Sequence, residues 1–206
     1  MTDLKTKKSI VIYFSRADEN YGVGYIEKWN TEVIAEYIQE LAWADLFKVE
    51  RKTPYAKDYA TCIKEAQQEI DNDERPEIVN TLESIDDYEV IYVWGPIYRW
   101  QLPQPMVTQL EKLNWEWKIV RPFTTHEGSG LAGVPSQLKN LCQWAEVLEW
   151  LAIRGSSVYQ AKDTVANWLY NNKYKCIYEI ISPTVKIKNN FIFALSTVYC
   201  SIINLM

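Results

Sequence analysis

The stretch SIVIYFSRADENYGVGYIEKWNTEVIAEYIQEL, residues 9–41, decides the fold. It opens with the apolar, β-branched run from Ile10 to Phe14, which predicts a strand buried on both faces. Its second half has apolar residues at the spacing of an amphipathic helix, namely Val33, Ile34, Tyr37, Ile38 and Leu41. The loop between them ends at a helix N-terminus, where free N–H groups and the helix dipole attract anions. The stretch therefore predicts an anion-binding site.

Polar side chains in this loop can take part in such a site. The Ser15 and Thr31 hydroxyls and the Asn30 amide offer neutral hydrogen bonds. Arg16 can contact the anion or can be a solvated surface charge. The alternative for Asn30 or Thr31 is a helix N-cap without a ligand.

Composition describes an ordinary globular protein and excludes several classes. The chain has 206 residues, enough for one domain with a full core, and is 48% hydrophobic and 24% charged. A net charge of −5 and the lack of a Lys/Arg run argue against nucleic-acid binding. A mildly acidic surface suits contact with cationic patches on partner proteins.

Cysteine and histidine usage argues against a metal site. The four cysteines show no C-x-x-C spacing and the chain has one histidine, so we expect no zinc centre. The N-terminus lacks the apolar core of a signal peptide, which favours a reducing cytoplasm. Residues 191–206 are apolar but are interrupted by Ser and Asn, so we expect no membrane span.

Strand and helix patterns alternate along residues 9–170. Further strands are predicted at 44–50, 89–94, 117–123 and 146–153, and further helices at 58–70, 106–113, 135–142 and 158–170. Such alternation is typical of an α/β fold with a parallel sheet and right-handed crossovers. Ligands of these folds bind beyond the carboxyl ends of the strands. The loops after the first, third and fourth strands should therefore meet in one site.

Four segments in order resemble the flavodoxin family: YFSR followed by NTEVIAE, PIYRWQLPQP, THEGSG and LAIRGSS. The resemblance covers residues 8–169 and implies a flavodoxin-like three-layer sandwich in residues 1–170, with a five-stranded parallel sheet of order 2-1-3-4-5. It also implies one non-covalent FMN. The G-x-G-x-x-G fingerprint of NAD-binding domains is absent. Residues 171–206 would be a C-terminal extension of unknown role, which translation past the natural end or a frameshift would also explain.

The resemblance assigns site residues to three loops. It places the FMN phosphate near Ser15, Arg16, Trp29, Asn30 and Thr31. The isoalloxazine ring would lie between two further loops, one containing Pro96, Ile97, Tyr98 and Trp100 and the other Thr125, His126, Glu127, Gly128, Ser129 and Gly130. Tyr98 would stack on the ring or meet its edge. His126 is a proton donor to the flavin or a loop residue, and Glu127 makes the site negative.

Seven of the nine tryptophans occupy positions where flavodoxins tend to have glycine. Glycine at such positions allows positive φ and close approach of the backbone, and tryptophan is a poor substitute for it. One hypothesis is that UGA codons for glycine have been read as tryptophan, and TGG codons in the gene would contradict it. The alternative is a Trp-rich protein that has lost FMN. The seven are Trp29, Trp43, Trp94, Trp100, Trp117, Trp144 and Trp150.

The sequence therefore favours an FMN-carrying electron-transfer protein that serves redox partner proteins. No residue is assigned a catalytic role. An FMN-dependent NAD(P)H:quinone oxidoreductase on the same fold is the alternative. A flavin-free relic or binding module is the third hypothesis, and it follows if the tryptophans are genuine.

Overall fold

The computed structural model describes residues 4–22, 24–26 and 28–170. The predicted extension at 171–206 lies outside them. The strands are β1 (Ser9–Phe14), β2 (Asp18–Asn20), β3 (Gly24–Ile26), β4 (Asp45–Val49), β5 (Val90–Trp94), β6 (Ile119–His126), β7 (Glu146–Val147) and β8 (Leu151–Arg154). The α-helices are α1 (Asn30–Ala42), α2 (Tyr59–Asp71), α3 (Gln104–Leu110), α4 (Val134–Leu141) and α5 (Lys162–Tyr170).

The main sheet confirms the predicted strand order. Its order is β4-β1-β5-β6-β7, with β8 also paired to β6, and every pairing is parallel. In chain order this is 2-1-3-4-5, because the β2–β3 hairpin is separate and β7 and β8 share the fifth place. The carboxyl ends of β1, β5 and β6 thus meet at one edge, which we call the carboxyl edge.

The fifth strand is broken, which corrects the prediction of one strand over 146–153. β7 pairs with Ile119 and Val120, and β8 pairs with residues 123–126 of β6. The gap in β6 contains Pro122, which has no N–H to donate to a neighbouring strand. The last helix also begins later than predicted, because Gly155–Gln160 forms a 3-10 helix before α5.

Two apolar layers cover the sheet and give the three-layer sandwich. Ile10, Ile12 and Phe14 of β1 pack with α2, α3 and α4, whereas Val11 and Tyr13 pack with α1 and α5. Both faces of β1 are therefore buried, as the apolar run predicts. No helix in the described part of the chain is long and apolar enough to cross a membrane.

The loop after β1 contains a short antiparallel hairpin that the sequence pattern did not predict. β2 and β3 pair from Asp18 opposite Ile26 to Asn20 opposite Gly24. Gly22 and Gly24 have φ values of 75° and 70°, which glycine adopts at little cost. The three-residue strands are too short for an alternating apolar pattern to identify them.

Four of the seven tryptophans have the positive φ that glycine adopts at little cost, and the decoding hypothesis itself stays a prediction. Positive φ occurs at Trp43 (56°), Trp100 (72°), Trp117 (64°) and Trp144 (71°). The other three lack it. Trp29 has φ −81°, Trp94 is a buried β5 residue stacked on Phe123 at 5.0 Å, and Trp150 is not among the positive-φ residues.

Candidate functional site

A cleft of about 290 Å³ opens at the carboxyl edge of the sheet. It collects residues from the loops after β1, β5 and β6, as the topology predicts. All but two of the predicted site residues line it, namely Ser15, Arg16, Trp29, Asn30, Thr31, Pro96, Ile97, Tyr98, Trp100, Thr125, His126, Glu127 and Ser129. Gly128 and Gly130, both with positive φ, are not part of the lining.

The start of α1 offers hydrogen-bond donors to the cleft. The N-cap is Trp29, which provides no side-chain cap, and Asn30 and Thr31 are the first helical residues. The alternative that Asn30 or Thr31 is the N-cap is therefore wrong. The Ser15 side-chain hydroxyl is buried and has no hydrogen-bond partner among the described residues. A buried unpaired hydroxyl beside an uncapped helix N-terminus suits an anionic ligand.

Arg16 holds the loop together. Its guanidinium donates to the carbonyl oxygens of Glu19 (2.7 Å), Ala56 (2.7 Å) and Lys57 (2.6 Å). Only 9% of the residue is exposed, so the alternative of a solvated surface charge is wrong. The guanidinium ties the β2–β3 hairpin to the segment before α2, and a phosphate contact stays a prediction.

Tyr98 is a buried wall of the cleft. Its ring meets Phe14 and Tyr55 edge-on, with centroids 6.4 and 5.9 Å away, and 6% of the residue is exposed. The Cys62 thiol donates to its hydroxyl at 4.0 Å. Burial raises the pKa of Tyr98 well above its usual range, so the phenol is neutral. Little of the Tyr98 ring is therefore exposed for the predicted stacking on the flavin.

β6 ends at His126, which corrects the prediction of a strand over 117–123. Residues 123–126 pair with β8, so the strand is longer than the sequence pattern indicated. The Gly128 N–H donates to His126 Nδ1 at 3.0 Å. Because Nδ1 accepts this bond, the neutral imidazole carries its proton on Nε2. The histidine can therefore donate through Nε2.

Glu127 and Gly155 form a close contact beside α1. The Glu127 carboxylate accepts the Ser156 N–H at 2.8 Å and lies 3.6 Å from Arg154 Nε. A Cβ on Gly155 would collide with this carboxylate and would lie 2.5 Å from the Asn30 amide nitrogen. Glycine at 155 thus lets the start of the 3-10 helix approach Asn30. The sequence signal for it is the small-residue run after LAIR.

One wall of the cleft was not predicted from the sequence. It comes from the β2–β3 hairpin and the first turn of α2, together with Arg99. The rings of Tyr21 and Tyr59 lie 5.8 Å apart at 38°. The topology could have indicated Tyr59, because a helix that follows a parallel strand begins at the carboxyl edge. The missed residues are Asn20, Tyr21, Ile26, Tyr59, Ile63, Arg99 and Gly155.

Comparisons with known proteins agree with this fold. A family model described as flavodoxin matches residues 8–172. A flavoprotein structure from Bacteroides uniformis is 22% identical, with a TM-score of 0.62 over 79% of this chain and 97% of its own. A flavoprotein in complex with FMN from Lactobacillus acidophilus is 18% identical, with a TM-score of 0.54 over 75% of this chain and 98% of its own. No curated protein matches the chain.

Proposed function

Because the chain belongs to the flavodoxin family, we propose that it binds one FMN in the cleft and carries electrons between redox partner proteins. The observation that carries this proposal is the buried, unpaired Ser15 hydroxyl beside the uncapped N-terminus of α1. Backbone N–H groups and hydroxyls are the groups that a phosphate nest uses.

The described residues fit FMN along the length of the cleft. Ser15, Asn30 and Thr31 would hold the phosphate through neutral hydrogen bonds, since Arg16 is engaged by three carbonyl oxygens. The ring would lie between the loops after β5 and β6. Bound flavin supplies the one- and two-electron chemistry that side chains lack. The protein contributes orientation, exclusion of water and hydrogen bonds.

An electron shuttle suits the chain better than a self-sufficient enzyme. The net charge of −5 favours encounter with cationic patches on redox partners. Cys62 and Cys142 are free thiols, which suits a reducing cytoplasm. An NAD(P)H:quinone oxidoreductase is the second candidate, and the additional aromatic wall of the cleft favours it.

The test begins with the absorbance spectrum of the purified protein, in which we expect flavin bands. The apoprotein is then titrated with FMN and with riboflavin, which lacks the phosphate. We expect FMN to bind more tightly, and Ser15→Ala to weaken FMN while leaving riboflavin unchanged. Ser156→Ala is the control, because Ser156 meets Glu127 through its backbone N–H.

Two results would contradict the proposal. No flavin binding by the purified apoprotein would support the flavin-free relic instead. Rapid oxidation of NAD(P)H with a quinone acceptor by the purified protein alone would support the oxidoreductase. Slow oxidation that accelerates only with a separate reductase is the result expected for a shuttle.

A further inference from the structure

Resting on the proposed function, we propose that a second cavity at the carboxyl edge binds the adenylate group of FAD. This cavity has a volume of about 240 Å³ and shares Ser15, Arg16 and Trp29 with the cleft. The two cavities therefore adjoin at the residues to which the FMN phosphate is assigned. FAD contains the whole of FMN, so a flavin whose phosphate binds at this boundary can extend into both cavities.

The second cavity lies on the opposite side of β1 from the proposed ring site. β1 lies between β4 and β5, and the ring site lies between the loops after β5 and β6. The second cavity is lined instead by Glu50 and Arg51, which directly follow β4. In doubly wound folds a dinucleotide places its pyrophosphate at the N-terminus of the first helix and its adenosine ribose at the end of the second strand. β4 is the second strand of the main sheet, so the cavity occupies the adenosine position of that arrangement.

Two buried donors at the boundary of the cavities fit a pyrophosphate. The Ser15 hydroxyl and Arg16 Nε have no hydrogen-bond partner among the described residues, and only 3% and 9% of the two residues are exposed. The terminal nitrogens of the Arg16 guanidinium already donate to backbone carbonyl oxygens, so the Nε–H group is the one left. A buried N–H group without an acceptor is costly. Because Ser15, Asn30 and Thr31 would hold the FMN phosphate, Arg16 Nε is free to donate to the second phosphate of FAD.

Glu50 gives the cavity an acceptor for the ribose. Half of its side chain is exposed, and its carboxylate lies 3.3 Å from Lys48 Nζ. A carboxylate has about four lone-pair sites, so it can accept from ribose hydroxyl groups while it stays paired with the lysine. An acidic residue at the end of the second strand accepts from the 2′-hydroxyl in dinucleotide-binding folds, and its charge disfavours a 2′-phosphate. Glu50 therefore favours an unphosphorylated adenosine.

A flat surface in the same cavity suits the adenine ring. The Arg51 guanidinium lies over the Tyr55 ring, with its central carbon 4.7 Å from the ring centroid, and Pro54 adds an apolar contact. Arg51 is held there by Glu69, whose carboxylate lies 2.8 Å from Arg51 Nε. Planar guanidinium and aromatic groups stack on flat ligand rings. Because the stack is fixed before the ligand arrives, binding costs little side-chain entropy.

The experiment titrates the apoprotein with FMN and with FAD by calorimetry. We expect FAD to bind at least about tenfold more tightly than FMN, and Glu50→Ala to weaken FAD about tenfold while FMN affinity stays unchanged. Glu77→Ala is the matched control. Glu77 is likewise an exposed glutamate paired with a lysine, at 2.8 Å from Lys52 Nζ, but it lies outside the lining of both cavities.

The outcomes separate this inference from the proposed function. FAD binding no tighter than FMN would overturn the inference and leave the proposed function intact, and so would equal FAD affinities of Glu50→Ala and Glu77→Ala. If the apoprotein binds neither flavin, the proposed function fails, and AMP then tests the second cavity by itself. AMP binding that is lost in Glu50→Ala but kept in Glu77→Ala would support the adenylate site, whereas no AMP binding would overturn it.

Discussion

The two edges of the sheet carry tryptophans in the same backbone conformation but in different surroundings. Trp43, Trp117 and Trp144 lie before β4, β6 and β7, at the edge opposite the cleft, and are 90%, 87% and 83% exposed. We call this the amino edge. Trp100 lies after β5 at the carboxyl edge and lines the cleft. The positive φ is shared, and only the carboxyl edge also carries the proposed FMN site.

The difference separates two roles of glycine. At the amino edge, Trp43 is the left-handed C-cap residue of α1, a conformation in which glycine is usual. At the carboxyl edge, Arg99 and Trp100 both have positive φ in a turn closed by mutual hydrogen bonds between Tyr98 and Gln101. Such turns favour Asn-Gly. Glycine at 100 would relieve the backbone and would also clear the cleft.

The largest expected effect is on the free energy of unfolding. It should follow from combining Trp43→Gly, Trp117→Gly and Trp144→Gly. A left-handed conformation costs a residue with a Cβ about 1–2 kcal/mol, and part of the gain is offset by the unfolded-state entropy of glycine. We expect the free energy of unfolding to rise by about 2–3 kcal/mol, with the contributions of Trp117 and Trp144 coupled because these residues precede paired strands. Chemical denaturation measures it, and FMN affinity should stay unchanged.

The matched control replaces the same three residues by alanine. Alanine removes the indole but keeps the Cβ that makes positive φ costly. The alanine variant should therefore gain much less stability than the glycine variant. Equal gains would mean that exposed indoles, rather than backbone strain, limit stability at the amino edge.

The carboxyl edge shows what the sequence could predict. The meeting of the loops after β1, β5 and β6 at one edge follows from the alternation of elements, whereas the strand order and the individual site residues followed from the resemblance to flavodoxins. The β2–β3 hairpin could not be predicted, since its strands are too short for a periodic pattern. The burial of Tyr98 depends on Phe14 and Tyr55, which are distant in sequence.

The tryptophans show the limit of a resemblance. Family likeness predicted glycine at seven positions, but it could not tell which of them need positive φ. Trp94 is buried in β5 against Phe123, and its indole N–H has no partner among the described residues. Packing therefore distinguishes it from the exposed tryptophans of the amino edge.

The next-largest effect is expected on FMN affinity in the cleft. Trp29 and Trp100 both line it, so Trp29→Gly with Trp100→Gly should raise FMN affinity by about 2 kcal/mol, or about thirtyfold. The combined gain should exceed either change alone and should not be simply additive, because both residues face one ligand. Fluorescence titration of the four proteins measures it. Tight binding by the unmodified chain without gain on replacement would contradict the expectation.

Thr31→Ala should have a smaller effect confined to the phosphate. Thr31 is buried in the first turn of α1 and lines the cleft. Loss of one hydrogen bond to a charged group should weaken FMN by about 1–2 kcal/mol. Riboflavin should bind as before. Thr61→Ala is the control, because Thr61 is in the first turn of α2 and does not line the cleft. Equal weakening of FMN and riboflavin would mean that the phosphate does not bind at the start of α1.

The smallest effect distinguishes the two tryptophans of the carboxyl edge. Trp29 has φ −81°, which any residue adopts, whereas Trp100 has φ 72°. Trp29→Ala and Trp29→Gly should therefore differ in stability by less than about 0.5 kcal/mol, whereas Trp100→Gly should be more stable than Trp100→Ala by about 1 kcal/mol. Any gain in FMN affinity at position 29 must then come from removal of the indole, which lies under Lys48 Nζ at 4.7 Å from the ring centroid. Because Trp29 is the N-cap of α1, where glycine is favoured over alanine by up to about 1 kcal/mol, only a larger advantage of the glycine variant would mean that this residue adopts positive φ in solution.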